Sequence, residues 1–168
     1  MSGGMELYLH MPFCVRKCAY CDFLSFPSGA ETQRMYAKRL MKDIDVMGKR
    51  YGEIPVETIF IGGGTPSVPD SALIVEIMEH VRHAFHVADG AEISMEANPG
   101  TVTREKLTDY RKAGINRLSF GLQSANDREL KLLGRIHTWA EFLESFTLAR
   151  ECGFANLNID LMSALPGQ

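Results

Sequence analysis

Five short apolar runs alternate along the chain with longer stretches whose apolar residues recur at helical spacing, and this alternation limits the fold more than any other feature. Leu7-Tyr8-Leu9-His10 is the first strand candidate, followed by a helix with Tyr36, Leu40, Ile44 and Met47 on one face. Val56–Ile61 is the second strand, stopped by Gly62-Gly63-Gly64. Pro69-Asp70-Ser71 offers helix-start chemistry, and Leu73, Ile74, Ile77, Val81 and Phe85 line the helix it opens. Glu92–Glu96 reads as a third strand, Thr103 opens a third helix that Gly114 ends, and Arg117–Gly121 is a fourth strand. Helical material runs from about Asp127 to Cys152, in two pieces broken near Gly134–Thr138 and stopped by Gly153, before a fifth strand at Asn156–Leu161. The order β-α-β-α-β-α-β-α-β calls for parallel strands joined by right-handed crossovers, in a barrel-type or an open doubly wound sheet. Both place ligands at the carboxyl ends of the strands.

The chemistry-bearing residues cluster at those ends. Three of the four cysteines, Cys14, Cys18 and Cys21, follow the first strand; Cys152 lies far away. The stretch Met1–Met5 has no apolar core, so no signal peptide is expected and the chain reads as cytoplasmic. In that setting a tight cysteine cluster is metal-binding or catalytic and not a disulfide frame. Three thiolates on one loop can hold three corners of a cubane iron–sulfur cluster and leave the fourth iron free for a small molecule. Arg16 and Lys17, inside the loop, would favour the thiolates and offset cluster charge. A zinc site is the alternative, with His10 as the fourth ligand. A net charge of −3, from 18 Lys+Arg against 21 Asp+Glu, argues against a nucleic-acid partner. No stretch approaches the ~18 apolar residues of a transmembrane span.

At the other strand ends, Gly62, Gly63 and Gly64 let backbone approach a ligand closely, but the string lacks the Lys-Ser/Thr of a phosphate loop. Glu96 and Asp160 close strands in an otherwise apolar sheet, where a carboxylate accepts hydrogen bonds from an amine or from ribose hydroxyls. Gln123 can donate and accept, and Arg135 offers a fork for a carboxylate. His80, His83 and His86, spaced by three, read as solvated or capping residues in preference to a metal stripe. Cys152 reads as a small buried hydrophobe, and most of the nine methionines as core.

Cys-x3-Cys-x2-Cys with Tyr20 before the third cysteine resembles the radical S-adenosylmethionine superfamily. The longer string Tyr8–Phe23 is similar to the branch that holds oxygen-independent coproporphyrinogen III oxidase and the related heme chaperones of the HemW type. Gly62-Gly63-Gly64-Thr65-Pro66, Glu96-Ala97-Asn98-Pro99, Asn116–Ser124, Leu133–His137 and Asn158–Gln168 continue the resemblance in order along nearly the whole chain. It implies a partial (β/α)6 TIM-like barrel with a parallel sheet, a [4Fe–4S] cluster on Cys14, Cys18 and Cys21, and S-adenosylmethionine on the open iron. Reduced cluster would cleave the sulfonium to a 5′-deoxyadenosyl radical, and no side chain is assigned a catalytic role. Tyr8, Gly63, Gly64, Thr65, Glu96, Gln123, Arg135 and Asp160 correspond to S-adenosylmethionine contacts, with Tyr20 at adenine. Implied partners are heme or porphyrin, heme-accepting apoproteins, and an electron donor such as flavodoxin or ferredoxin.

One departure matters within the family. The oxidases carry a further cysteine two residues after the third, where this chain has Phe23, as in the HemW-type branch. The leading expectation is therefore a heme chaperone. The alternatives are a coproporphyrinogen III dehydrogenase and a zinc-binding α/β module. Five strands and four helical connections in 168 residues further suggest that 1–168 is the N-terminal part of the radical S-adenosylmethionine domain, without the sixth strand and C-terminal region.

Overall fold

All five apolar runs form strands and the intervening stretches helices in the computed structural model, which describes residues 3–168. Met1 and Ser2, part of the N-terminal stretch considered above, lie outside the described residues. The elements are β1 (Met5–Met11), α1 (Ala30–Tyr51), β2 (Val56–Gly63), α2 (Ser71–Ala84), β3 (Val87–Ala97), α3 (Arg104–Lys112), β4 (Arg117–Gln123), α4 (Asp127–Leu132), α5 (Trp139–Glu151) and β5 (Asn156–Leu161). Every neighbouring pair of strands is parallel, in the order β1-β2-β3-β4-β5. The strand order never reverses, whereas a doubly wound sheet reverses at its switch point, so the sheet is of the barrel type. α1 packs on α2, α2 on α3 and α3 on α5, giving one helical layer.

The two faces of the sheet differ. Leu9, Ile59, Ile61, Ile93, Met95, Leu118 and Phe120 are buried in the core. The alternating positions His10, Ser94, Glu96, Ser119, Gly121, Asn158 and Asp160 point to the other face, because side chains alternate along a strand. Parallel sheets covered by helices on both faces are apolar on both. Here the second face carries the Tyr8–Phe60 pair and is otherwise largely polar, and its upper polar members meet the loops at the strand ends.

Local chemistry sets the helix ends. Asp70 accepts from the Ala72 N–H, Thr103 from the Lys106 N–H and Asn126 from the Arg128 N–H, each satisfying a donor the helix leaves unpaired. Thr138 and Glu141 form a reciprocal capping box that starts α5. Gly134, at φ 73°, makes the break between α4 and α5. Three expectations shift. The buried seam of α1 is Gln33, Ala37, Met41 and Ile44, while Tyr36 and Leu40 are only partly buried and Met47 is exposed. Ala37, fully buried, is small enough to let the helix lie close on the sheet, and this rotates the seam by one residue. β3 begins five residues early, because an irregular stretch through Gly90 carries the pairing from Val87 to Glu92. Cys152 is half-buried, its thiol near the Arg104 carbonyl. No described helix is long and apolar enough to cross a membrane.

Candidate functional site

The cysteine loop is anchored at both sides. At its base Phe13 bridges Phe26: the Cys14 N–H donates to the Phe26 carbonyl (3.2 Å) and the Phe26 N–H to the Pro12 carbonyl (2.9 Å). Phe13 is fully buried, edge-on to Phe26 and Tyr36, and the Tyr36 hydroxyl donates to the His10 carbonyl (2.6 Å). Donation from the Gly64 N–H to the Met11 carbonyl (2.8 Å) and from the Thr65 N–H to the Phe13 carbonyl (2.7 Å) extends the β1–β2 pairing to the first cysteine. On the far side the Ala19 N–H donates to the Leu133 carbonyl (3.2 Å) and Arg16 to the Gly134 carbonyl (2.6 Å). The turn between α4 and α5 thus holds the loop down.

Beneath the loop lies a cavity of about 480 Å³, within the range of small-molecule sites. Cys14, Cys18, Cys21, Tyr20, Gly63, Gly64, Thr65, Glu96, Gln123, Arg135 and Asp160 all line it. Of the site residues expected from the sequence, Tyr8 alone does not. It stacks on Phe60, and its hydroxyl meets His10 Nδ1 at 3.0 Å. His10 Nε2 meets the Leu24 carbonyl at 3.0 Å, so both ring nitrogens are engaged and His10 is not placed as a fourth zinc ligand. Among the described residues no three His, Cys, Asp or Glu side chains gather as ligands of one metal ion. His80 instead meets Asp45 at 3.1 Å.

The carboxylates line the same cavity as the thiols. Glu96 accepts from the Gly63 N–H (3.0 Å); burial pushes its carboxyl above the ordinary range, opposed by that N–H and reinforced by the Asp160 charge. Asp160 accepts from Ser119 Oγ (3.0 Å) and Asn158 Nδ2 (2.7 Å). Arg135 donates to Asn98 Oδ1 (2.7 Å), to the Gly121 carbonyl (2.5 Å), to Tyr20 Oη (3.3 Å) and to Cys18 Sγ (3.7 Å), leaving Nε buried and unpartnered. Burial raises the Tyr20 hydroxyl pKa, with the Arg135 charge opposing. Gln123 sits at φ 73°, a left-handed conformation unusual for a residue with a side chain, at an irregularity in the β4–β5 register. The strain lies at the cavity wall, where such strain is commonly functional.

The glycine string also has a packing role. A Cβ at Gly62 would meet the Phe60 ring at 2.5 Å, one at Gly63 the His10 ring at 2.4 Å, and one at Gly64 the Phe13 carbonyl at 2.7 Å. Protein atoms lie at those Cβ positions: Gly62 leaves room for Phe60 and Glu96, and Gly63 and Gly64, which also line the cavity, allow β2 to close against β1 and the base of the cysteine loop. Sequence reasoning also passed over Asn98, Ser119 and Asn158 as individual contacts. Asn98 and Ser119 line the cavity, and Asn158 holds Asp160. The available signal is the alternation Ser119/Gly121 and Asn158/Asp160, which breaks the apolar runs of these two strands at every second residue.

A cluster and an adenosyl ligand suit this donor set. The four cysteines are all free, and three open onto one cavity with Arg16, Lys17 and Arg135 around them. Cys152 lies outside it, so a cubane would keep one iron free of thiolate. Glu96, Asp160, Ser119 and Gln123 supply acceptors and donors in the same cavity for an amine, a carboxylate or ribose hydroxyls.

A family model described as the Radical SAM superfamily matches residues 8–168. The chain is 43% identical over 165 residues to the heme chaperone HemW of Escherichia coli (strain K12), covering 98% of this chain and 44% of that protein. It is 38% identical over 162 residues to the heme chaperone HemW of Bacillus subtilis (strain 168), covering 96% and 43%. Among solved structures, the radical SAM enzyme coproporphyrinogen III oxidase (HemN) from Escherichia coli superposes with a TM-score of 0.91 at 31% identity, over 98% of this chain and 38% of that one. The chain spans less than half the length of these proteins.

Proposed function

Because the chain belongs to the Radical SAM superfamily, whose members bind S-adenosylmethionine and a [4Fe–4S] cluster, we propose that it carries the cluster and S-adenosylmethionine site of a cytoplasmic heme chaperone that delivers heme to apoproteins. The observation that carries this reading is one cavity lined both by three free thiols and by the carboxylates Glu96 and Asp160. Cys14, Cys18 and Cys21 hold the cluster. Glu96, Gln123, Arg135 and Asp160 orient the methionine and ribose groups, Gly63, Gly64 and Thr65 shape the wall between them, and Tyr20 contacts adenine. Tyr8 acts from outside the cavity, through the edge of β1. What the cluster supplies when bound is one-electron reduction of the sulfonium; the protein orients the ligand and excludes water. An electron donor such as flavodoxin or ferredoxin serves that step. Phe23, exposed at the cavity mouth where the oxidases carry cysteine, favours heme delivery over coproporphyrinogen oxidation. The structural likeness to coproporphyrinogen III oxidase keeps a porphyrinogen dehydrogenase as the second reading.

Anaerobic reconstitution with iron and sulfide tests the site. About four irons per chain are expected, with loss of the brown cluster in Cys14→Ser, Cys18→Ser or Cys21→Ser; full retention of the cluster in these variants would refute the ligand assignment. Heme titration and coproporphyrinogen III turnover on the full-length protein then separate the two functions: heme binding without turnover supports the chaperone, and turnover without heme binding overturns it.

A further inference from the structure

One asparagine lies between two of the three thiols. Asn98 Oδ1 accepts from Arg135 (2.7 Å), and Arg135, through its other terminal nitrogen, donates toward Cys18 Sγ (3.7 Å). Asn98 Nδ2 donates to Thr65 Oγ1 (2.9 Å), and Thr65 Oγ1 lies 3.6 Å from Cys14 Sγ. Arginine has no acceptor, so Oδ1 must face Arg135 and Nδ2 must face Thr65; the amide orientation is fixed by its partners. With Thr65 Oγ1 accepting from Asn98, its own hydrogen remains to point at Cys14. Thr65 is nearly inaccessible, at 3% exposure, so water does not compete for that hydroxyl.

We propose that Asn98 is a positioning residue that aims two hydrogen-bond donors, Thr65 Oγ1–H and the Arg135 guanidinium, at the sulfurs of Cys14 and Cys18. The proposal rests on those thiolates holding the cluster. Hydrogen bonds to ligating sulfur withdraw electron density and raise a cluster's reduction potential. Asn98 thereby makes the cluster easier to reduce without touching it. The backbone of Asn98 is held separately, its N–H by Ser67 Oγ (3.2 Å) and its carbonyl by Thr101 Oγ1 (2.7 Å), so changing the side chain leaves the turn in place.

Asn98→Asp is isosteric and separates the two arms. Aspartate still accepts from Arg135, but toward Thr65 it presents only an acceptor, so the hydroxyl turns from Cys14 to the carboxylate. Two readouts test the proposal. In reconstituted protein the midpoint potential, followed by electron paramagnetic resonance, should fall in Asn98→Ala and in Thr65→Val, and recover in Thr65→Ser. In cluster-free protein at one fixed pH, iodoacetamide labelling mapped by mass spectrometry should slow at Cys14 and Cys18 in Asn98→Ala. In Asn98→Asp it should slow at Cys14 more than at Cys18, with Cys152 unchanged as internal reference. A wild-type potential and wild-type labelling in Asn98→Ala overturn the positioning role. Failure of the wild type itself to assemble a cluster overturns the cluster reading, and with it any effect on potential, while the labelling pattern still decides whether Asn98 aims the donors.

Discussion

Gly63 and Gly64 show how closely single residues constrain this site. At Gly64 an added Cβ would lie 2.7 Å from the Phe13 carbonyl and 2.9 Å from the Met11 carbonyl, backbone atoms that cannot rotate away. At Gly63 it would strike the His10 ring, and φ 117° is strained for any side chain. Gly90 offers the comparison: φ is 81°, but no atom lies within 4 Å of the position. Gly90→Ala should cost only the conformational term, about 1–2 kcal/mol in urea denaturation. Gly64→Ala should cost about 1–3 kcal/mol through overpacking and also lower iron incorporation, because the clash moves the base of the cysteine loop. Equal iron content in the two variants would contradict this. The thiols were legible from spacing alone, since Cys14, Cys18 and Cys21 are close in sequence. The contacts of Asn98 were not, because Thr65 and Arg135 reach it only after the strand register and the turn after α4 are set.

Among the elements, the turn between α4 and α5 has two jobs that sequence shows only in part. Gly134 and Thr138 mark the helix break plainly: a left-handed glycine and an N-cap with glutamate three residues on. Nothing in those residues shows that the Leu133 and Gly134 carbonyls receive the cysteine loop. The two roles can be separated. Thr138→Ala removes the bond that Thr138 Oγ1 accepts from the Glu141 N–H, leaving the Thr138 N–H to the Glu141 carboxylate, and should cost about 1 kcal/mol of stability, with amide exchange in residues 14–25 unchanged. Gly134→Val places a branched side chain at φ 73° and 3.4 Å from the Ala19 nitrogen, so it should cost about 1–2 kcal/mol and also accelerate exchange at Ala19. Protection at Ala19 equal to wild type in Gly134→Val would show that the turn does not hold the loop. The seam of α1 lies one residue from the face that apolar spacing marks, for a related reason: spacing identifies a face, but the small Ala37 decides where the helix approaches the sheet.

For the whole molecule, the alternation of elements fixed a parallel sheet, and the unreversed strand order then made it barrel-like with a single helical layer. Polar groups collect on the free face, and the ends of that face, the cysteine loop and the α4–α5 turn converge on one corner. That corner holds a buried titratable group, His137, only 4% exposed. Its Nε2 lies 3.2 Å from the Leu122 carbonyl and so carries the proton, while Nδ1 is buried without a partner. A second proton would enter a dry site beside the Arg135 charge. Burial first, and then Arg135, lower its pKa to about 4, against an ordinary value of 6.5. Between these values the unfolded chain takes up a proton that the folded chain refuses. Stability is therefore unaffected by this group above pH 6.5 and falls as pH drops toward 4. Glu96 has the opposite sign: its folded pKa is raised, so its contribution is present in acid and is lost as pH rises through that raised value. Wild-type stability alone mixes the two. The difference between wild type and His137→Gln, which keeps an N–H for the Leu122 carbonyl, isolates the histidine. That difference should be constant above pH 6.5 and then move against the wild type by on the order of 3 kcal/mol on reaching pH 4. A difference curve that stays level from pH 7 to 4 in denaturant titrations would mean that His137 accepts its second proton at no cost, and that the corner beneath the α4–α5 turn is open to water.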